Sequence, residues 1–573
     1  MIEAAMHDAV GLLLEAIAQA LPEDRAALRR LKIRVASQTG SPLIRNDALL
    51  LRYRREVATG ARAPNLHVER ILTLNGIRSE SGIATVTAIT EPYACPGRCV
   101  YCPTEARAPK SYLPNEPAVM RALRSDYDPY GQVRARLAAL AETGHPTDKI
   151  ELILKGGTWS FYPDAYQRTF IRRCLEAAND FAQGSGLGAQ GNGPQPPAQS
   201  PEPTIPSSLE EAQEANETAR CRVIGVTVET RPDYVDPEEI RRLRHLGVTR
   251  VELGVQTLEE DVLARIVRDH GTAEVRDATT LLKDAGIKVA YHLMPNLPGA
   301  TPASDLDTAR RVFDDPAYRP DTLKLYPCVV VETAELFQWW RQGRHIPYDE
   351  ETLVELLIRI KQLVPPYVRI ERVIRDIPST SIQAGCVITN LREEAQRRMR
   401  QRGLACVCIR CRQVRRAVPL VPGPLFQLTQ RRYDASGGTE CFLSFEEPTT
   451  GALASLLRLR IPACAARGAA GRPSPHLAGR PHWLPALEGA ALIRELHSYG
   501  PHLPLHARRE DAVQHHGFGR QLVAEAERIA RDEFRMRRMA VIAGVGVREY
   551  YRRLGYELHD TYMVKSLDRD GVV

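Results

Sequence analysis

No run of apolar residues in this 573-residue chain approaches the roughly 18 needed to span a bilayer. The first 22 residues mix apolar positions with Glu3, His7, Asp8 and Glu15 and lack a basic head, so they do not read as a signal peptide. Internal repeats are missing too. Twelve cysteines are few for a disulfide scaffold of this size. The net charge of +7, from 77 basic and 70 acidic side chains, is too small to argue for nucleic acid by itself. These absences leave a cytoplasmic globular protein with reduced thiols and no membrane partner as the expectation. With 43% hydrophobic and 26% charged residues it can bury a core. Its length predicts roughly three or four domains.

Residues 1–80 carry helical patterns at 9–21 and 25–35 and a basic stretch with Arg45, Arg52, Arg54, Arg55, Arg62 and Arg70. That stretch suits either a solvated surface or a phosphate-binding one. Between 81 and 385 the chain alternates short apolar strands (150–154, 223–228, 250–253, 288–292) with amphipathic helices (163–178, 237–246, 272–285). This pattern predicts a parallel α/β sheet, as a partial or full barrel. Residues 184–208 hold five Gly, six Pro and one charge, and predict a disordered insertion. The linker 386–421 is rich in arginine, with only Glu393 and Glu394 opposing in the local sequence. From 422 to 573 strands (441–445, 455–460, 539–543) accompany one long helix, 519–534, with a loose insertion at 464–485.

Cys95-Pro-Gly-Arg-Cys99-Val-Tyr-Cys102 places three thiols within eight residues. Three thiolates on one tight loop suit three irons of a four-iron cluster, leaving the fourth open to a small molecule. Zinc would want a fourth protein ligand, and the motif holds no Asp, Glu or His. The spacing resembles the radical S-adenosylmethionine (radical SAM) superfamily, whose open iron binds SAM. That resemblance implies that Gly156, Gly157, Glu229, Glu252 and Gln256, at successive strand ends, contact or orient SAM. Ligand groups at the C-terminal ends of barrel strands are physically coherent.

Gln514-His-His-Gly517-Phe518-Gly519-Arg520 opens the long helix. Helix N-terminal N–H groups bind phosphate, and glycine permits close approach. Q-x-x-G-x-G resembles the pyrophosphate loop of the GNAT acyltransferases, which bind acetyl-CoA. Glu495, Leu496 and His497 on the preceding strand belong to the same expected site. Tyr550 and Tyr551 either orient the acetyl thioester or pack against the helix.

A third constellation, Cys406, Cys408 and Cys411, suits zinc if a fourth ligand arrives from elsewhere. Cys328 is the first candidate and Cys386 the second; free thiols are the alternative. Cys174, Cys221, Cys441 and Cys464 stand alone, as packing residues do.

A radical SAM module followed by a GNAT module resembles the family of Elongator catalytic subunits in its single-chain prokaryotic form. The resemblance runs from about Ile71 to Leu567. It is most specific at Asn115-Glu116-Pro117, Tyr127-Asp128-Pro129, 229–234, 252–256, 292–298, Arg494-Glu495-Leu496-His497, 514–519 and 544–556. The family lends Cys328 to the zinc expectation, because its eukaryotic members lack the Cys408/Cys411 pair and Cys328 together. The resemblance implies carboxymethylation of the tRNA wobble uridine at carbon 5. A SAM-derived radical takes hydrogen from the acetyl methyl group, the carbon radical adds to the base, and thioester hydrolysis follows. The partners it implies are the anticodon stem-loop of tRNA, acetyl-CoA and an external electron donor. Lys288, Lys324 and Tyr326 match polar positions of the family's central cleft, where ordinary strand-end polarity is the alternative. The N-terminal arginines and those from Arg397 to Arg416 would follow the tRNA path. Protein lysine acetylation, with a structural cluster, is the rival activity.

Overall fold

The computed structural model describes residues 2–73, 83–181, 208–414, 426–462, 481–500 and 517–568. Nearly all of the predicted insertions at 184–208 and 464–485, together with Arg415, Arg416, Cys464 and Gln514, lie outside the described residues.

Four helices, Ile2–Ala20, Arg25–Thr39, Asn46–Ala58 and Leu66–Leu72, open the chain. They enclose their own apolar cluster, including Leu13, Leu14, Leu28, Leu49, Leu50 and Tyr53. Several of the expected phosphate-binding arginines are internal staples. Arg54 pairs with Glu69 at 2.7 Å and donates to the carbonyl of Ala141, while Arg52 and Arg62 share Glu56.

The central sheet is built from β1 (Ala84–Ile89), β2 (Lys149–Lys155), β3 (Arg222–Thr230), β4 (Arg250–Gln256), β5 (Lys288–Leu293) and β6 (Thr322–Leu325). After β6 comes a short ribbon in which β7 (Val330–Val331) pairs with β9 (Ile382–Ala384), and between them β8 (Arg369–Arg372) closes the sheet order β1-β2-β3-β4-β5-β6-β8. Neighbouring strands in this sheet are parallel, which gives the expected partial barrel. Helices such as Asp164–Phe181, Pro237–His245 and Thr272–Asp284 carry the chain back between strands. Strand alternation assigns the chemistry. In β4, Val251, Leu253 and Val255 join the core beneath the helices, so Arg250, Glu252, Gly254 and Gln256 face the barrel interior. In β5 the interior positions are Lys288, Ala290 and His292, and in β6 they are Thr322 and Lys324.

The C-terminal sheet holds β10 (Gln427–Ala435), β11 (Gly438–Glu446), β12 (Leu453–Ile461), β13 (Ala490–Ser498), β14 (Arg538–Val541), β15 (Glu557–His559) and β16 (Tyr562–Ser566), ordered β10-β11-β12-β13-β14-β16-β15. β13 and β14 are parallel, the other neighbours antiparallel. Their register runs from Ala490↔Arg538 to Ile493↔Val541, whereas β13 continues to Ser498. Beyond Ile493, β13 therefore parts from β14 among the described residues. The helix Phe518–Arg528 begins beside this parting and continues as a π-helical turn, Ile529–Glu533.

The sheets meet through buried charge. Asp321, before β6, receives Arg494 of β13 at 2.5 Å; Arg494 also reaches Glu440, which pairs with Arg460, and Arg460 pairs with Asp284. Gly544 and Gly546 press on β3 so closely that a Cβ would stand 2.1 Å from the Ile224 carbonyl oxygen or 2.9 Å from that of Val223. The linker arginines are opposed after all. Arg402 pairs with Glu355 at 2.5 Å and Arg398 with Glu351, both from the helix Glu350–Leu363, distant in sequence.

Candidate active site

One cavity of about 1000 Å³ runs through the barrel interior. At the C-terminal ends of the strands it is lined by Cys95, Cys99, Cys102, Gly157, Glu229 and Gln256. At the opposite end it is lined by Lys288, Thr322 and Arg369, faced by Glu495, His497 and Tyr499 from β13.

The cysteine loop fits a cluster better than a single ion. A tetrahedral zinc with Zn–S near 2.3 Å would draw its thiolates to about 3.8 Å from one another. Among the described residues, Cys406, Cys408 and Cys411 meet such a spacing, all within 4.8 Å, and Cys95, Cys99 and Cys102 are not drawn together in this way. Thiolates that bind separate irons need that wider spread. The loop hangs on the barrel through the Val100 N–H, which donates to Ile266 at 3.1 Å, and the Val100 carbonyl, which accepts from Leu336 at 2.8 Å. Burial, with Cys99 alongside, pushes the Cys102 thiol up to about 11, so a bound cation is what would stabilise its thiolate.

The glycine pair divides its work. A Cβ on Gly156 would stand 1.7 Å from Thr90 Oγ1, so Gly156 lets β1 and β2 end side by side; Gly157 lines the cavity. Gln256 adopts φ 71° and buries its Oε1 without a hydrogen-bond partner, which leaves an acceptor for a ligand.

Glu252 is fully buried and already neutralised. It accepts from Lys324 at 2.5 Å and His292 at 2.9 Å, with Arg250 at 3.3 Å and Lys155 at 3.9 Å. Burial would raise its carboxyl, but Lys324, Lys155 and His292 hold it well below the ordinary range. It orients cations rather than a ligand. Glu229 accepts from the Tyr112 hydroxyl at 3.2 Å and lies 3.3 Å from His292 Nδ1. Burial opposes its charge, yet His292 and Lys155 bring its carboxyl down to about 2. His292 bridges the two glutamates. Burial disfavours its protonation, but Glu229 and Glu252 lift it to about 9. With Lys155 and Lys324 on the same carboxylates, a divalent cation here would add charge to a compensated centre. Tyr326 stands edge-on to His292, 5.1 Å between centroids; burial would raise its phenol, but Lys324, Lys155 and His292 bring it down.

This centre sets a pH dependence. His292 is raised above its ordinary value of 6.5, so its contribution is complete below about 6.5 and lost as pH rises through about 9. Glu229 is depressed, so its contribution is present above about 4.5 and lost as pH falls through about 2. Unfolding free energy should therefore decline from pH 6.5 towards 9, and His292→Gln should flatten that slope in urea titrations. An unchanged slope would contradict the assignment.

The strand β13 serves both modules by alternation. Glu495 and His497 face the cavity, whereas Leu496 faces the helix start, its Cδ2 3.8 Å from a Cβ built on Gly519. Glu495 is held by Arg458 at 2.8 Å and Lys288 at 3.3 Å. Gly517 takes φ 70° to start the helix, and Phe518 stacks on Phe445 at 4.3 Å. A Cβ on Gly519 would stand 3.0 Å from Tyr550 Oη, and Arg520 lies close enough to influence that phenol. Tyr551 is 5% exposed within the C-terminal core, so only Tyr550 reaches the loop. Should the loop take acetyl-CoA, as the resemblance implies, Gly519→Val would raise the KM for it about tenfold, or ~1.4 kcal/mol. An unchanged KM would remove the loop from the acetyl-CoA site.

Cys328 does not join the second cysteine set. It is buried with Val100, Tyr326, Val330 and Leu336 behind the cluster loop, its N–H donating to the Pro295 carbonyl. The triad sits elsewhere, at the start of β8, where the Ile409 N–H donates to the Val368 carbonyl at 3.0 Å. β6 and β8 are parallel, and Cys328 lies beyond the end of β6, so the strand length separates it from the triad. Cys386 is buried and also outside the triad. Side chains without an assigned role in the sequence reading are Lys155, Arg250, Arg268 and His292. Alternation within Lys-Val-Ala-Tyr-His-Leu already puts His292 on the face of Lys288.

Residues 92–312 match the radical SAM superfamily, and residues 320–401 match the Radical_SAM C-terminal domain. The tRNA uridine(34) acetyltransferase of Dehalococcoides mccartyi is 45% identical over 495 residues, covering 86% of this chain and 99% of its own. That of Methanocaldococcus jannaschii is 41% identical, covering 87% of each. Elongator complex protein 3 of Homo sapiens is 38% identical over 86% of this chain and 85% of its own. The solved structure of Methanocaldococcus infernus Elp3 with an N-terminal deletion superposes with a TM-score of 0.68 at 38% identity, covering 85% of this chain and 99% of that one. A radical SAM match over the barrel thus comes with 38–45% identity over 85–87% of the chain, and the chain belongs to the Elp3 family of radical SAM tRNA uridine(34) acetyltransferases.

Proposed function

We propose that this protein modifies the wobble uridine of tRNA, using SAM and acetyl-CoA to place a carboxymethyl group on carbon 5. The observation that supports this most is the single cavity lined both by the cysteine loop and by β13 of the C-terminal sheet. Radical generation and acyl supply can then serve one substrate atom without a diffusing intermediate.

Cys95, Cys99 and Cys102 would hold a 4Fe–4S cluster, which supplies the electron that makes an organic radical available from SAM. Gly157 gives SAM room, and the free Gln256 Oε1 accepts from it. His292 and Lys155 line the cavity, where their N–H donors would meet a uracil carbonyl or thioester oxygen as it gains negative charge, and Lys324 holds the Glu252 partner of His292 behind them. Tyr326 sits beside them as a hydrogen-bonding phenol. Gly517 to Arg520 would cradle the CoA pyrophosphate, and Tyr550 would orient the thioester. β13 beyond Ile493 would receive the pantetheine amides. Arginines on the cavity wall, among them Arg121, Arg369 and Arg372, would meet tRNA phosphates.

The triad of Cys406, Cys408 and Cys411 would hold zinc, supplying three of its ligands. Thiol contacts from Cys406 and Cys411 favour the Cys408 thiolate. Lys361 Nζ and Arg392 Nη1 are buried nearby without hydrogen-bond partners, which suits thiolate charge.

Acetyl-CoA turnover measured with and without tRNA tests the reading. Hydrolysis that rises only with tRNA supports it; tRNA-indifferent turnover with acetyl-lysine product would favour protein acetylation instead.

A further inference from the structure

Two guanidinium groups press on the cysteine loop, and they are built differently. Arg231 is nearly buried and bridges Asp233 at 2.9 and 2.7 Å through Nε and Nη2, while its Nη1 reaches Asp269 at 3.3 Å. That Nη1 lies 2.5 Å from where a Cβ on Gly97 would be, so the loop residue must be small for the arginine to lie over it. Two carboxylates neutralise Arg231.

Arg268 is half-buried on the cavity wall, and its hydrogen bonds go to a sulfur and a carbonyl. Nη1 donates to Cys99 Sγ at 3.4 Å, Nη2 donates to the Gly254 carbonyl at 2.6 Å, and Nε has no partner. The backbone is bent to deliver it. Val267, a β-branched residue, takes φ 55°, a left-handed conformation that is strained for such a residue. The strain is held from both sides. The Arg268 N–H donates to the Leu263 carbonyl at 2.9 Å, and the Ile266 carbonyl accepts from Val100 of the loop itself.

We propose that Arg268 sets the reduction potential of the cluster bound at Cys95, Cys99 and Cys102, through its N–H···S bond to Cys99 and a guanidinium charge that no carboxylate hydrogen-bonds, while Arg231 clamps the loop mechanically. This rests on the cluster reading above. Hydrogen bonds to cluster sulfurs and nearby positive charge both favour the reduced, more negative state, and so raise the potential. The couple takes one electron from an external reductant; no bond is made or broken. Arg231 adds little to the potential because its charge is matched by Asp233 and Asp269.

The test is an EPR-monitored potentiometric titration of the full chain, reconstituted with iron and sulfide, reduced with dithionite and kept free of SAM and tRNA. Arg268→Gln should make the cluster tenfold harder to reduce, a fall of ~59 mV for one electron. Arg231→Gln should leave the midpoint in place and lower the iron retained after gel filtration. An unmoved midpoint in Arg268→Gln at full iron content would overturn the proposal. A second measurement needs no fragile variant. The reduced parent protein should show an exchangeable proton coupled to the cluster, lost in deuterium oxide and absent from Arg268→Met; a parent without it would overturn the N–H···S bond. A parent chain that takes up no iron would overturn the cluster reading itself, which an unmoved midpoint would not.

Discussion

Cys99→Ala should abolish modified-uridine formation, by at least the thousandfold range of a typical assay, while leaving tRNA affinity within twofold. Two thiolates cannot hold a four-iron cluster that needs three protein ligands. The substitution should cost the fold little, because Cys99 is only partly buried and Val100, not Cys99, carries the loop's backbone bonds to Ile266 and Leu336. Iron content, filter binding of tRNA and nucleoside analysis on the same preparation separate these effects. Activity retained without iron would contradict the radical reading, and loss of tRNA affinity would show the loop to be structural.

Asp321→Asn should destabilise the protein by about 3–5 kcal/mol. The side chains of Asp321, Arg494, Arg458 and Glu440 are at most 1% exposed. Burial would raise the Asp321 carboxyl, but Arg494, Lys283 and Arg458 hold it far below its ordinary range. Neutralising it leaves those cations buried together, with Lys283 Nζ and Arg458 Nη1 already lacking hydrogen bonds. Burial brings the Lys283 ammonium down to about 8 even with Asp321 present. Because these charges join barrel and C-terminal sheet, the two should also lose their common urea transition. Glu355→Gln is the control, since its pair with Arg402 is 43% exposed on each side; exposed pairs are worth about 1 kcal/mol or less. Similar small losses at both sites would contradict the account.

The sequence was most informative where local spacing carries the chemistry. The Cys95 loop and the α/β alternation need no distant partner, and the period of two in Arg-Val-Glu-Leu-Gly-Val-Gln already sorts Glu252 and Gln256 from Val251 and Leu253. What escaped depends on contacts between remote segments. Glu252 looked like a ligand contact because Lys324 and His292, on two other strands, are what saturate it. The sequence puts Glu495 beside Leu496, yet adjacent strand residues face opposite sides, and only the docked barrel supplies the Lys288 that Glu495 meets. Cys328 stands apart from Cys406, Cys408 and Cys411 because it follows the end of β6 while the triad lies at the start of the parallel β8, a placement that spacing along the chain does not show. The linker's arginines looked unopposed until the helix Glu350–Leu363 brought Glu351 and Glu355 beside them.

The measurement closest to the central claim is mass analysis of tRNA nucleosides after anaerobic incubation of the full chain with tRNA, SAM, acetyl-CoA and dithionite. A carboxymethyl group on the wobble uridine, lost when SAM, acetyl-CoA or reductant is withheld, is the predicted result. An unmodified uridine from protein with full iron content, or modification that persists without SAM, would contradict it.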